Sequence, residues 1–222
     1  MTRMIRTRAL LAAAVLSAAL CLTTELSQAA RQAPESAPGS SSLQGRFLVA
    51  KPSMADPRFK ETVILMIKHD ATGAFGLVIN RPAGVAEISD ADPPPGVEDE
   101  DGSSEPTETT RLKIPAFYGG PVELHKAFVI HSVEYQIDTT VKVTGKVAVT
   151  ADPRILEDIA NGQGPKQLLY VLGYSGWRGG QLENELRRND WYTAPVDADI
   201  VFDKDKSRNK WRRAVDMRLQ GI

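Results

Sequence analysis

Residues 62–82 read Thr62-Val63-Ile64-Leu65-Met66-Ile67-Lys68-His69-Asp70-Ala71-Thr72-Gly73-Ala74-Phe75-Gly76-Leu77-Val78-Ile79-Asn80-Arg81-Pro82. Thr62 to Ile67 is an unbroken β-branched and apolar run, the pattern of a strand covered on both faces. Ala71-Thr72-Gly73 turns the chain, and Ala74 to Asn80 reads as a second strand. Pro82 is expected to stop that strand, because proline has no amide hydrogen to give to a ladder.

Upstream, residues 46–51 read as another strand, while residues 31–45 are mostly Ala, Pro, Ser, Gly and Gln. Such a segment buries too little apolar surface to offset its ordering entropy, so a flexible tether is expected there. Downstream, Phe117-Tyr118 leads into Gly119-Gly120-Pro121-Val122, and strands are expected at 127–131, 147–150, 168–172 and 200–202. Asp152-Pro153 opens a helix, since Asp caps free amides and Pro fits the first helical position. Ile155, Leu156 and Ile159 share its inner face, and Asn161-Gly162 ends it. Gly173-Tyr174-Ser175-Gly176-Trp177 reads as a tight strand-to-helix turn. Gln181 to Asn189 is then helical, with Leu182 and Leu186 inward and Glu183 paired to Arg187 four residues on. Ser207 to Leu219 is the last helix, with Trp211, Ala214, Val215 and Leu219 on one side. Strands come both in succession and between helices, so the expected fold is a single α+β domain with a mixed sheet.

The chain has 222 residues, with 27 Lys and Arg, 28 Asp and Glu, 3 His and 1 Cys, and a net charge of −1. That balance excludes a strongly basic chain built to coat nucleic acid, though not a local basic patch. Met1 to Arg8 contains Arg3, Arg6 and Arg8, Ala9 to Leu22 is a short apolar run, and Ser27-Gln28-Ala29 is a small-x-small site. These are the three parts of a secretory signal peptide. Residues 1–30 are therefore expected to be a leader cut after Ala29 or Ala30, and the protein to be exported to the periplasm. The alternative is an uncleaved N-terminal anchor, although the apolar run is short of the roughly 20 residues that span a membrane. Lipidation at Cys21 is disfavoured by the bulky Leu20 before it. Without the leader the chain has no cysteine, which excludes a thiol nucleophile, a disulfide and a Cys-ligated metal site.

Residues 90–108 hold Asp90, Asp92, Glu98, Asp99, Glu100, Asp101, Glu105 and Glu108, no base, and four prolines. Like charges repel and proline blocks regular structure, so a disordered acidic insertion is expected.

Four sequence blocks resemble the YqgE/AlgH family of mostly uncharacterised bacterial proteins. The first is Phe47-Leu48-Val49-Ala50-Lys51-Pro52 with Asp56-Pro57-Arg58-Phe59. The second is His69 to Pro82, and the third Tyr118-Gly119-Gly120-Pro121-Val122. The fourth is Gly173-Tyr174-Ser175-Gly176-Trp177 followed by Gly180-Gln181-Leu182-Glu183 and Trp191. The resemblance covers residues 46–222 and implies an α+β domain whose bifurcated sheet partly closes into a small barrel flanked by helices. It implies no established reaction. One branch of the family has been called a regulator of transcription, and most members are thought cytoplasmic, the alternative to export here. Two departures stand out. Ile67 occupies a position where members often have Cys, and the acidic stretch replaces much of a usual helix.

Taken singly, the chemistry-bearing residues point to few reactions. His125 and His131 are imidazoles suited to zinc or copper, but the spacing fixes no third ligand, so no metal or other cofactor is expected. Ser175 lacks the glycine that a nucleophile elbow needs two places later, where Trp177 stands. Gly119 and Gly120 either expose amides to an anion or serve a sharp turn. Arg81 ends a buried strand, where a guanidinium is costly unless paired. It either binds a ligand carboxylate or phosphate or orders the motif loops internally. Ligand binding, with no residue assigned to catalysis, therefore falls to His69, Asn80, Arg81, Gly119, Gly120 and His131. The expected partner is a small anionic ligand or another protein. The run Lys204 to Arg218 carries seven bases and two acids, and is expected to be a docked helix with a solvated outer face rather than a nucleic-acid patch. Three function classes follow: a non-catalytic accessory or binding protein, which is preferred; a regulator of transcription; and an enzyme with a polar cleft around Arg81 and His69.

Overall fold

Ten strands and four helices are seen in the computed structural model, which describes residues 42–89, 111–203 and 207–220. The expected leader, most of the tether and the acidic insertion lie outside the described residues. The tether's expected end does not behave as one: Leu43 is buried at 8% exposure, and Gly45 bonds to the Met66 carbonyl.

The strands are β1 (Arg46–Ala50), β2 (Val63–Asp70), β3 (Gly73–Val78), β4 (Pro82–Ser89), β5 (Arg111–Tyr118) and β6 (Val122–Ser132). Then follow β7 (Val141–Lys142), β8 (Val147–Thr150), α1 (Arg154–Ala160), β9 (Leu168–Arg178), α2 (Gln181–Arg187), β10 (Trp191–Pro195), α3 (Ala198–Val201) and α4 (Ser207–Gln220). The sheet runs β10-β1-β2-β3-β9-β6-β8-β7, with β4 joined through β5 to β9. All pairs are antiparallel except β5 with β9, so the sheet is mixed.

Strand β9 produces the bifurcation. Its first half lies between β5 and β6, at Tyr170–Leu172, while its second half, Ser175–Arg178, pairs with β3. The sheet therefore curls into a half-barrel with apolar layers on both sides. Phe47, Val49, Leu65, Leu77 and Ile130 face one layer, closed by Ile200 and Val201 of α3 and Ala214 of α4. Leu48, Ile64, Met66 and Val78 face another, closed by Leu182 of α2 with Trp177 and Trp191. A third cluster joins Ile88, Ile114, Val129 and Tyr170 to Ile155 and Ile159 of α1. Successive residues of β1 and β2 enter opposite layers, which explains why their sequences are apolar without alternation.

Several expectations are corrected. Pro82 does not merely stop β3, which ends at Val78; it is the first residue of β4, a place proline tolerates. The stretch 173–177 is the second half of β9 rather than a turn, and only Gly173 turns left-handed, at φ 71°. Residues 200–202 are not a strand. Asp197 accepts the Asp199 amide at 2.8 Å, and the Ile200 and Val201 amides reach the Asp197 carbonyl, giving one helical turn. Three apolar residues carry no periodicity that separates the two states. Pro153 takes the capping position of α1 rather than its first helical one, and Asp152 before it accepts the Arg154 amide at 3.0 Å. Helix α4 docks as expected, with the Trp211 indole donating to the Ala50 carbonyl at 2.7 Å, but its Lys210 points inward and is 1% exposed.

Candidate functional site

The motif segments at 69–82, 118–122 and 173–183 converge on the junction where β3, β5, β6 and β9 meet. The Val78 amide donates to the Gly119 carbonyl at 2.9 Å, and the Gly119 amide to Leu172 at 2.8 Å. The Tyr118 amide donates to the Arg81 carbonyl at 2.7 Å, and Val122 pairs with Tyr174. Close backbone approach explains the paired glycines. A Cβ on Gly119 would sit 2.2 Å from the Gly173 carbonyl oxygen, and one on Gly120 2.3 Å from the Tyr174 carbonyl. Their small size serves packing of backbone on backbone.

The side chains singled out from sequence are committed within this framework. The Leu43 amide donates to His69 Nδ1 at 3.0 Å, which leaves the ring proton on Nε2 to donate to Glu183 Oε1 at 2.9 Å. Glu183 thus serves His69 rather than the expected Arg187, and Arg187 instead donates to Asn184. Asn80, 3% exposed, accepts the Val63 amide at 2.8 Å and donates to the Glu61 carbonyl at 2.9 Å. Arg81 is half-buried, and its guanidinium donates to the carbonyls of Lys60, at 2.8 Å, and Pro57, at 3.3 Å. His131 stands apart from the junction, at the β6–β8 pairing. It is fully buried, donates from Nδ1 to the Ser132 carbonyl at 3.0 Å and accepts from Thr150 at 2.9 Å. Burial pushes its pKa below the usual histidine value, although the bond to Ser132 opposes this. Ser175 is 1% exposed and donates to the Gly119 carbonyl.

Arg81→Ala is expected to cost roughly 1–2 kcal/mol, since two carbonyl bonds to the 57–60 loop are lost at a half-exposed position. Urea unfolding measures this. No change would mean that the loop holds its place without Arg81.

Over the same junction lies a cleft of about 540 Å³. Its lining includes Arg58, Phe59, Trp177, Gln181, Glu185 and Arg188. Glu185 Oε2 accepts the indole N–H of both Trp177 and Trp191 at 2.9 Å, and its Oε1 accepts from Gln181 at 3.0 Å. The two indoles meet edge to face, centroids 6.3 Å apart, and Phe59 packs edge-on against Trp191 at 5.6 Å. The rim carries the ion pairs Arg58–Asp56 at 2.7 Å and Arg188–Asp190 at 3.0 Å, with guanidiniums more than 60% exposed. Arg58 holds the Asp56 carboxyl below its ordinary pKa. None of the six ligand-binding residues expected from sequence lines this cleft. Arg58, Phe59, Trp177, Gln181 and Trp191 belong to the first and fourth blocks, whereas Glu185 and Arg188 stand outside all four blocks and no sequence signal marked them.

The family model for AlgH-like proteins matches residues 47–222. The chain belongs to the AlgH-like family. A UPF0301 protein of Cereibacter sphaeroides is 44% identical over 170 residues, 76% of this chain and 88% of that protein. One from Stutzerimonas stutzeri is 42% identical over 161 residues, 72% of this chain and 81% of that protein. The solution structure of the AlgH protein from Pseudomonas aeruginosa superposes with a TM-score of 0.62 at 35% identity, covering 83% of this chain and 93% of that one. A Corynebacterium diphtheriae protein, 20% identical with a TM-score of 0.56, covers 78% of this chain and 85% of that one and shows the fold alone. The half-barrel is thus the AlgH-like fold, and the convergent blocks are its junction.

Proposed function

We propose that this AlgH-like protein is an exported, non-catalytic binding protein that holds a polypeptide segment of a partner in the cleft above the junction. One observation carries the reading: the motif side chains His69, Asn80 and Ser175 are engaged inside the protein, while Arg58, Gln181, Glu185 and Arg188 stand on the cleft. Ser175, His69 and Asn80 each bond to the chain's own backbone or side chains. Paired guanidiniums and carboxylates together with the Gln181 amide offer both donors and acceptors, which suits a peptide backbone that carries both. A small anion at Arg81 is less favoured, because that guanidinium already serves two carbonyls.

A transcriptional role is also less favoured. On α4, Lys210 is buried, Arg213 pairs with Asp203 at 2.7 Å, and the Arg218 guanidinium lies 3.8 Å from the Tyr192 ring centroid. These three cations are engaged before any phosphate arrives, which leaves the exposed Arg212 among the described side chains of α4 to meet one.

A photoreactive amino acid in place of Arg188 is expected to give one discrete cross-linked conjugate in cells. The same residue in place of Val141, exposed on β7, is expected to give none. Equal labelling from both positions, or none from Arg188, defeats the cleft. Export is tested separately by mass spectrometry of the native N-terminus. Ala30 or Arg31 is expected first, and intact Met1 in a cytoplasmic fraction overturns it.

A further inference from the structure

A second cavity, of about 640 Å³, lies between β6, β9 and α1. It exists because β6 leaves the ladder: Ala127 pairs with Leu172 and Val122 with Tyr174, so residues 123–126 bulge opposite Gly173 alone. Glu123 takes φ 46° to make the bend. On one side Phe75, Phe128 and Tyr174 form an aromatic cluster, with centroids 4.8 to 6.2 Å apart. Tyr170 and the α1 residues Ile155 and Leu156 also line it. The volume falls within the roughly 300–1,000 Å³ usual for small-molecule sites, and aromatic walls with few polar groups are their usual lining.

Tyr170 gives the cavity its chemistry. Its side chain is more than nine-tenths buried, at 7% exposure, yet its hydroxyl has no hydrogen-bond partner among the described residues. Every fully sealed side-chain nitrogen or oxygen among those residues has a partner. The Tyr170 hydroxyl is therefore not sealed in the core, and Tyr170 is one of the residues that line the cavity. Burial pushes its pKa above the ordinary tyrosine value, so it stays a neutral donor. The charges at the rim are already matched. Glu123 pairs with Lys126 at 2.9 Å and Asp152 with Arg154 at 2.8 Å, and His125 lines the cavity beside them. Such a rim selects for neither an anion nor a cation.

We infer that this cavity binds an uncharged, mainly apolar organic molecule carrying one carbonyl-type acceptor, which the Tyr170 hydroxyl meets. The site is separate from the polar cleft and differs from it in ligand chemistry. Benzophenone and diphenylmethane probe it, since they differ only in a carbonyl against a methylene. Each is titrated into the full-length protein and followed by NMR. Benzophenone is expected to shift Phe75, Phe128, Ala127 and Ile155 saturably and to bind roughly three- to tenfold more tightly than diphenylmethane, the worth of one neutral hydrogen bond. Tyr170→Phe keeps the ring and the fold and is expected to erase that preference while leaving diphenylmethane affinity unchanged. Absence of saturable shifts at these residues overturns the site. Equal affinity for the two probes, or a preference that survives Tyr170→Phe, overturns the assignment to Tyr170.

Discussion

Asn80→Ala is expected to lower the unfolding free energy by roughly 2–4 kcal/mol, because it orphans a buried amide and leaves a small void. Asn80 closes the edge where β2 begins. Its side-chain oxygen takes the Val63 amide at 2.8 Å, and its side-chain nitrogen reaches the Glu61 carbonyl at 2.9 Å. Glu61 itself has a left-handed backbone, φ 56°, so the Asn80 bond supports a costly conformation alongside the turn's own bonds from Thr62 to the Phe59 carbonyl. Asn80→Asp keeps the acceptor but turns a carboxylate oxygen onto the Glu61 carbonyl in a buried site, and is expected to cost at least as much as Asn80→Ala. Urea unfolding of the three proteins checks both statements. Wild-type stability in Asn80→Ala would mean that Asn80 is free for a ligand, as its place in the motif first implied.

The second large effect is a rise in stability with pH that depends on Lys210. Its ammonium donates to the carbonyls of Ile79 at 3.1 Å and Val201 at 2.8 Å, and lies 5.3 Å from the Phe117 ring centroid. Burial lowers its pKa from 10.5 to about 8, against a smaller opposing pull from Asp203 and with a smaller push from Arg213. Between about pH 8 and 10.5 the unfolded chain therefore holds a proton that the folded chain has released. Stability must rise through that window, by roughly 3 kcal/mol if the whole shift is realised. Tyr170 and Tyr174, whose pKa values burial raises, pull the other way above pH 10, because there the folded state holds the extra protons. Comparison with Lys210→Met at each pH isolates the lysine. The gap between the two urea stabilities is expected to move in favour of wild type as pH climbs from 7 to 10. Parallel curves would show that the ammonium is solvated.

Lys210 also shows why a charge run is a poor guide. In sequence it is one of seven bases between 204 and 218, and a solvated helix face was the reasonable expectation. Its burial depends on two carbonyls presented by β3's end and α3, one of them 131 residues away. The same holds for the site residues. His69, Asn80 and Arg81 stood out because polar groups at the end of a buried strand need partners. That need is met by Leu43, Glu183, Val63, Glu61, Pro57 and Lys60, none of them identifiable from spacing. The cleft lies beside those residues, at Arg58, Glu185 and Arg188, where no local pattern distinguishes a lining residue from any other exposed charge.

By itself the sequence determined the elements whose signals are local: β1 to β3 and β8 from continuous apolar runs, α1 from its Asp-Pro start, and α2 and α4 from helical spacing. It also carried the AlgH-like blocks and therefore the fold class. Tertiary structure alone decided β4, β5, β7, β10 and the length of β9, whereas the turn at α3 closes on local bonds that three apolar residues are too few to reveal. Strand β10 exists by pairing with β1 across more than a hundred residues, and β5 holds Pro115 just before Ala116 and Phe117, which are paired on both sides. Helical hydrogen bonds close within four residues, so their pattern is written locally. A strand's bonds close on whichever segment the fold brings alongside, so β9 continues through Gly173 only because β3 is there to receive Ser175–Arg178.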